Sequence, residues 1–146
     1  MREQGPTRIF QTKVFARLAR SEGVGVAGLV QCVTEAESGL IEAELGRGLI
    51  KQRLARAGEG KSGGVRTVIV FRNRDRAVFI DMFAKKDKAN FTLDELNGYR
   101  KLAGILLGLS DAAISEALKS GALIEIRRDG GEHGEETQKR STRRHP

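Results

Sequence analysis

Residues 48–84, GLIKQRLARAGEGKSGGVRTVIVFRNRDRAVFIDMFA, decide the fold. They hold three β-prone runs separated by short links. Residues 48–56 alternate: Lys51 and Arg53 point to one face, Ile50 and Leu54 to the other, and Arg56 falls at the strand end. Residues 66–72 (RTVIVFR) are almost wholly apolar inside, the pattern of a strand buried on both faces. Residues 73–75 are a polar turn, and residues 76–84 (RAVFIDMFA) form the third run. Links this short predict an antiparallel meander. Residues 57–64 (AGEGKSGG) are a glycine-rich connection inside it.

Outward from the meander the period changes. Residues 8–12 (RIFQT) predict a short strand, with Ile9 and Phe10 β-prone. A helix is predicted over 13–22, with Val14, Phe15, Leu18 and Ala19 on one stripe. Gly23 and Gly25 break it before a second helix over 26–39, and together the two predict a helical hairpin. On the far side, Thr92 and Glu95 make a capping box. Leu93, Leu96, Tyr99, Leu102, Ala103, Leu106 and Leu107 then cover one side of a helix. Ser110 caps a further helix through Lys119, Gly121 ends it, and residues 122–126 add an edge strand. The expected order is β-α-α-β-β-β-α-α-β. This is an α+β domain with a small antiparallel sheet, an N-terminal helical hairpin and C-terminal helices. The domain spans 8–126, after an extension of residues 1–7. Residues 127–146 contain no apolar side chain besides the final proline, so a disordered charged tail is expected there.

Composition bounds the chemistry. A chain of 146 residues suits one hydrophobic core. No apolar run reaches eighteen residues, and residues 1–7 lack the apolar core of a signal peptide, so a cytoplasmic protein without a membrane partner is expected. One cysteine excludes a disulfide framework and a cysteine-based zinc site. Both histidines, His133 and His145, lie in the last fourteen residues, which argues against a well-held catalytic histidine. Glu35, Glu37, Glu42 and Glu44 at spacings of two do not share a helical face, so a solvated acidic patch is expected and no metal site. Cys32, beside Val33 in an apolar helix, reads as a small core residue.

The net charge of +7 is local. Residues 47–88 carry twelve basic side chains against four acidic, a balance of +8, and the remainder is at −1. A single-sign field of this kind steers a polyanion to one region. The Gly60-Lys61-Ser62 run imitates the end of a phosphate-binding Walker loop. The pattern needs glycine where Ala55 stands and a helix directly after the serine, and here Gly63 and Gly64 precede a strand. Lys61 and Ser62 are then groups offered to a backbone phosphate. Lys51 and Arg53 share a strand face, Arg66 opens the next strand and Lys85 closes the third, so in a meander these ends can converge. Such a cluster binds a phosphodiester and stabilises charge that grows during its cleavage. Lysines crowded by cations titrate low in general and can act as acid or base, whereas arginine acts only electrostatically. Simple phosphate binding without chemistry fits the same residues.

The stretch LGRGLIKQRLARAGEGKSGGVRTVIVFR, then FIDMFAKKDKANFTLDEL, resembles RelE/HigB-type toxins of bacterial type II toxin–antitoxin modules, and RIFQTKVFARLARSEG fits that family's opening strand and helix. The resemblance covers residues 8–126. It implies a RelE-like fold and a ribosome-dependent mRNA endonuclease that inhibits translation. There the 2′-hydroxyl attacks the adjacent phosphate without metal or cofactor, leaving a cyclic phosphate and a free 5′-hydroxyl. Lys51 and Arg53 match the family's basic pair, Arg66 its transition-state arginine, and Lys85 stands where arginine is usual. Arg47, Arg56, Lys61, Ser62, Lys86 and Lys88 would grip RNA or ribosome. Some members place a tyrosine in the C-terminal segment to stack or to activate; the only tyrosine here, Tyr99, lies on the helix stripe and reads as core, and Phe91 or Lys88 could replace that contact. The implied partners are mRNA, the ribosome and a cognate antitoxin with a helix-turn-helix domain, the toxin alone being a monomer. Two alternatives stay open: a ParE-type toxin that binds DNA gyrase, and an inactive nucleic-acid-binding homologue.

Overall fold

The computed structural model describes residues 5–54, 64–84, 90–129 and 132–133. In chain order the elements are β1 (Arg8–Thr12), α1 (Lys13–Ser21), α2 (Val26–Glu37), β2 (Ala43–Gly46), β3 (Leu49–Leu54), β4 (Val65–Arg72), β5 (Arg76–Ala84), α3 (Leu93–Leu107), α4 (Asp111–Ser120), β6 (Leu123–Ile126) and β7 (Glu132–His133). The strands form one sheet in the order β2-β3-β4-β5-β1-β6-β7. The meander is as expected: β3, β4 and β5 pair antiparallel in sequence order.

Both faces of the sheet are covered, which is why the middle of β4, Val68–Phe71, is apolar on both sides. Val65 and Ile69 pack into a core with Phe15, Leu29, Val33 and Phe79 under α1 and α2. Val68 and Val70 pack into a second core with Phe10, Ala103, Leu106 and Ile114 under α3 and α4. The helix ends are set by local chemistry. Thr12 caps α1 through the Phe15 N–H, and Thr92 with Glu95 closes the capping box of α3.

Two expectations about architecture are corrected. The sheet is mixed, not antiparallel, because β1 lies between β5 and β6 and runs parallel to β5, Phe10 opposite Val78. Alternation along a strand is the same for either orientation, so its sequence carries no sign of this. The first two helices share one core but pack mainly on the sheet, which is not the self-contained hairpin expected. Each is laid on the sheet, α1 against β5, β1 and β6, and α2 against β3.

Two strands were not expected. β2 (AELG) has weak β propensity and is held by pairing with β3. The two-residue link between them, Arg47 and Gly48, has φ of 56° and 83°, the sign both positions of a type I′ hairpin turn require. A Cβ at Gly48 would stand 2.8 Å from Leu107 Cδ1, so glycine also lets α3 close onto the turn. β7 pairs with β6 within the segment expected to be disordered. Before it, Arg128 donates to the Thr7 carbonyl and to the Glu37 carboxylate at 2.8 Å. Charge pairing and a free strand edge thus order the start of this segment without apolar burial. Residues 134–146 lie outside the described residues.

Candidate active site

Alternation places Lys51 and Arg53 on the face of β3 that carries Leu49, and Arg66 on the face of β4 that carries Val68, all on the α3 side of the sheet. Arg53 and Arg66 are directly opposite each other in the β3–β4 register. Like charges at such a position repel across a separation of about 5 Å. The Glu42 carboxylate relieves this. Arg66 Nε lies 3.0 Å from both of its oxygens, and Arg53 Nε is 3.9 Å from it. The two arginines differ in exposure: the Arg66 side chain is 5% exposed and that of Arg53 50%. Lys51 is half-buried.

The third strand joins them through a bulge. Val68 faces Asp81 and Ile69 faces Phe79, so Ile80 is an extra residue on β5. The insertion turns Asp81 and Phe83 to the α3 side, where Phe83 stands opposite Arg66. Phe83, Phe91 and Tyr99 form an edge-to-face ladder with centroids 5.3 and 5.5 Å apart. The Tyr99 hydroxyl donates to Asp81 at 2.5 Å. Burial, the bond to Asp81 and the negative charges of Asp81 and Glu95 push the Tyr99 phenol well above its usual range. Tyr99 is therefore held as a neutral donor and does not supply a base at neutral pH, in keeping with its reading as a packing residue.

That state has a direct optical readout. The chain has one tyrosine and no tryptophan, so tyrosinate absorbance reports Tyr99 alone. In the folded protein no rise near 295 nm is expected as pH passes the free-tyrosine value of about 10. In the unfolded chain the rise is expected at that value. Because the folded state holds the proton longer, this group's contribution to stability is full below about pH 10 and is lost progressively above it. A native-state rise centred at pH 10 would show that the Asp81 contact is not made.

The structure brings together Lys51, Arg53 and Arg66 from the expected catalytic set. Lys85 lies outside the described residues, as do Arg56, Lys61, Ser62, Lys86 and Lys88 of the expected binding set. Arg47 is not gathered into the cluster. It sits exposed at the β2–β3 turn, about 20 Å along the strand from Arg53 at ~3.3 Å per residue. Arg72 and Arg76 lie at that same end, both paired with Asp75, and Arg76 also donates to the Leu106 and Leu109 carbonyls. The basic band is thus divided by the strands into two ends of one sheet, and much of the far end is structural. After the Lys-Ser-Gly-Gly run the chain enters β4, not a helix, so the phosphate-loop imitation lacks its helix N-terminus.

The acidic patch is corrected. Glu42 is the counter-ion of Arg66, and Glu37 accepts from Thr7 and Arg128. Burial alone would raise the Glu37 carboxyl, but those hydrogen bonds outweigh it and hold it below the usual range. Sequence reasoning missed Glu42, Gln52 and Asp81. Only Gln52 left a signal: it occupies the inward face of β3 between Ile50 and Leu54, where a polar side chain must find partners. Cys32 is buried, as expected, with its thiol 3.2 Å from the Arg53 carbonyl.

A family description, the RelE toxin of the RelE/RelB toxin–antitoxin system, matches residues 7–126. The chain belongs to the RelE toxin family. It is thus a toxin of a toxin–antitoxin system, and the family implies a cognate antitoxin as its partner. The RelE match covers the whole sheet through β6 and all four helices, so the Arg53–Arg66 cluster lies inside the family domain. No curated protein matches the chain. Among the described residues no helix is long and apolar enough to cross a membrane.

Proposed function

We propose that this RelE-family toxin is a ribosome-dependent mRNA endonuclease that inhibits translation. The observation that carries the reading is the opposed Arg53–Arg66 pair with Lys51 on one sheet face of a RelE-family domain. The reaction is transesterification. The 2′-oxygen bonds to the adjacent phosphorus as its proton leaves, the bond to the 5′-oxygen breaks, and that oxygen takes up a proton. Arg66 and Arg53 offset the charge that grows on the phosphate oxygens. Lys51 and Lys85 are the candidates to move protons, and neither demands a metal or a cofactor. Lys61, Ser62, Lys86, Lys88 and Arg56 would hold the RNA backbone on the ribosome.

The cognate antitoxin, carrying a helix-turn-helix domain, would cover this basic face or block entry to the ribosome, and the toxin alone would be a cytoplasmic monomer. The test is expression in a susceptible host with primer extension on cellular transcripts. Translation arrest with cuts inside codons is the expected result. Growth arrest with intact transcripts and a DNA-damage response would replace the nuclease reading by gyrase binding.

A further inference from the structure

The geometry points to Glu42 as a positioning residue for Arg66, held in turn by Gln52; this rests on the nuclease reading above. Arg66 spends its Nε on both oxygens of Glu42, and its Nη1 is buried with no hydrogen-bond partner among the described residues. A buried charged donor left unmade costs more than an ordinary hydrogen bond returns. The acceptor that suits it is an anionic oxygen, and a phosphodiester supplies one. One end of the guanidinium is therefore fixed on Glu42, and the buried Nη1 is the donor that keeps an unmet demand for an anionic oxygen.

Glu42 is itself held in place. Its backbone N–H donates to Gln52 Oε1 at 2.9 Å. Gln52 Nε2 donates to the Leu40 carbonyl at 3.0 Å and the Cys32 carbonyl at 3.2 Å. Gln52 is fully buried on β3, between the two cations Lys51 and Arg53. One strand thus carries two cations on one face and, from the other, anchors the backbone of the residue that supplies the carboxylate. With its backbone fixed by Gln52 and its carboxylate on Arg66 Nε, Glu42 favours one orientation of the planar fork, the preorganisation that charge stabilisation requires. Arg53 is 3.9 Å from the same carboxylate and half-exposed, so it is held more loosely.

The experiment is single-turnover cleavage of mRNA on programmed ribosomes by the full chain, its Glu42→Gln and Arg66→Ala variants and the double variant. For Glu42→Gln the maximal rate should fall on the order of 10- to 100-fold, the cost of a misplaced catalytic group. The half-saturating ribosome concentration should change by no more than about twofold, since aiming Arg66 is felt in the transition state and not in ground-state binding. In the Arg66→Ala background the same change should cost little, because the two act as one unit. Wild-type cleavage by Glu42→Gln, or losses that add in full, would overturn the inference. A wild-type chain that cuts nothing would instead remove the nuclease reading and this inference with it.

If Glu42→Gln melts below the assay temperature, Glu42→Asp and the wild-type side-chain ¹⁵N spectrum carry the test. The shorter acid should lose rate while keeping its melting temperature. The Arg66 Nε–Hε signal should persist when a 2′-deoxy-blocked oligonucleotide is added. Its loss on binding would mean that phosphate displaces Glu42, and would also overturn the positioning role.

Discussion

Arg66→Ala is expected to cut RNA cleavage by about two to three orders of magnitude and to relieve translation arrest. Removing one group aimed at developing charge typically costs on the order of 10²–10³-fold in rate. The same substitution leaves Glu42 without its main partner. Breaking a buried ion pair from one side costs about 3–5 kcal/mol, and the 23% exposure of the Glu42 side chain lets water recover part of that. Loss of activity in Arg66→Ala alone is therefore ambiguous. Arg66→Lys separates the two effects. It keeps the charge beside Glu42 but loses the planar fork, so melting should change little while cleavage falls at least tenfold. Cleavage and melting temperature measured on the same preparations decide it. Arg66→Lys with wild-type cleavage would show that a point charge is enough and that the fork has no part.

Phe79→Ala should have the largest effect on stability. Phe79 and Phe15 are both completely buried, with ring centroids 5.1 Å apart and planes tilted by 38°. The pair ties α1 to β5 at the centre of the first core. Truncating a buried phenylalanine costs about 3–5 kcal/mol through lost transfer energy and the cavity left behind. Domains of this kind hold about 5–15 kcal/mol in total. The thermal midpoint should fall by roughly 10–20 °C. Phe79→Leu, which keeps most of the volume, should cost about a third of that. A far-ultraviolet melt of the three proteins checks it. A fall under about 3 °C for Phe79→Ala would mean that α1 is not packed as described.

Much of this molecule was legible residue by residue. The Thr92–Glu95 box, the glycine break after α1 and the alternation of β3 depend on neighbours a few positions apart, and each stands where it was read. The basic pair on β3 was legible for the same reason, since period-2 alternation puts Lys51 and Arg53 on one face. The acidic residues were misread because their partners are distant. Glu42 meets Arg66 across 24 positions and Glu37 meets Arg128 across 91, and nothing local marks either pair. β2 was missed because AELG has little propensity of its own and becomes a strand only when β3 offers a ladder.

Local periodicity was enough for the helices, for β1 and β6 and for the three-strand meander, because those follow from the spacing of apolar side chains along one chain. It was also enough to show where the positive charge is concentrated. The parallel placement of β1, the bulge that turns Asp81 toward Tyr99 and the division of the basic band between two ends of the sheet are of another kind. They are set by which backbone edges and which charges meet after the chain has folded back on itself. Strand direction and salt-bridge partnership leave no periodic mark, so they emerge only where the distant segments touch.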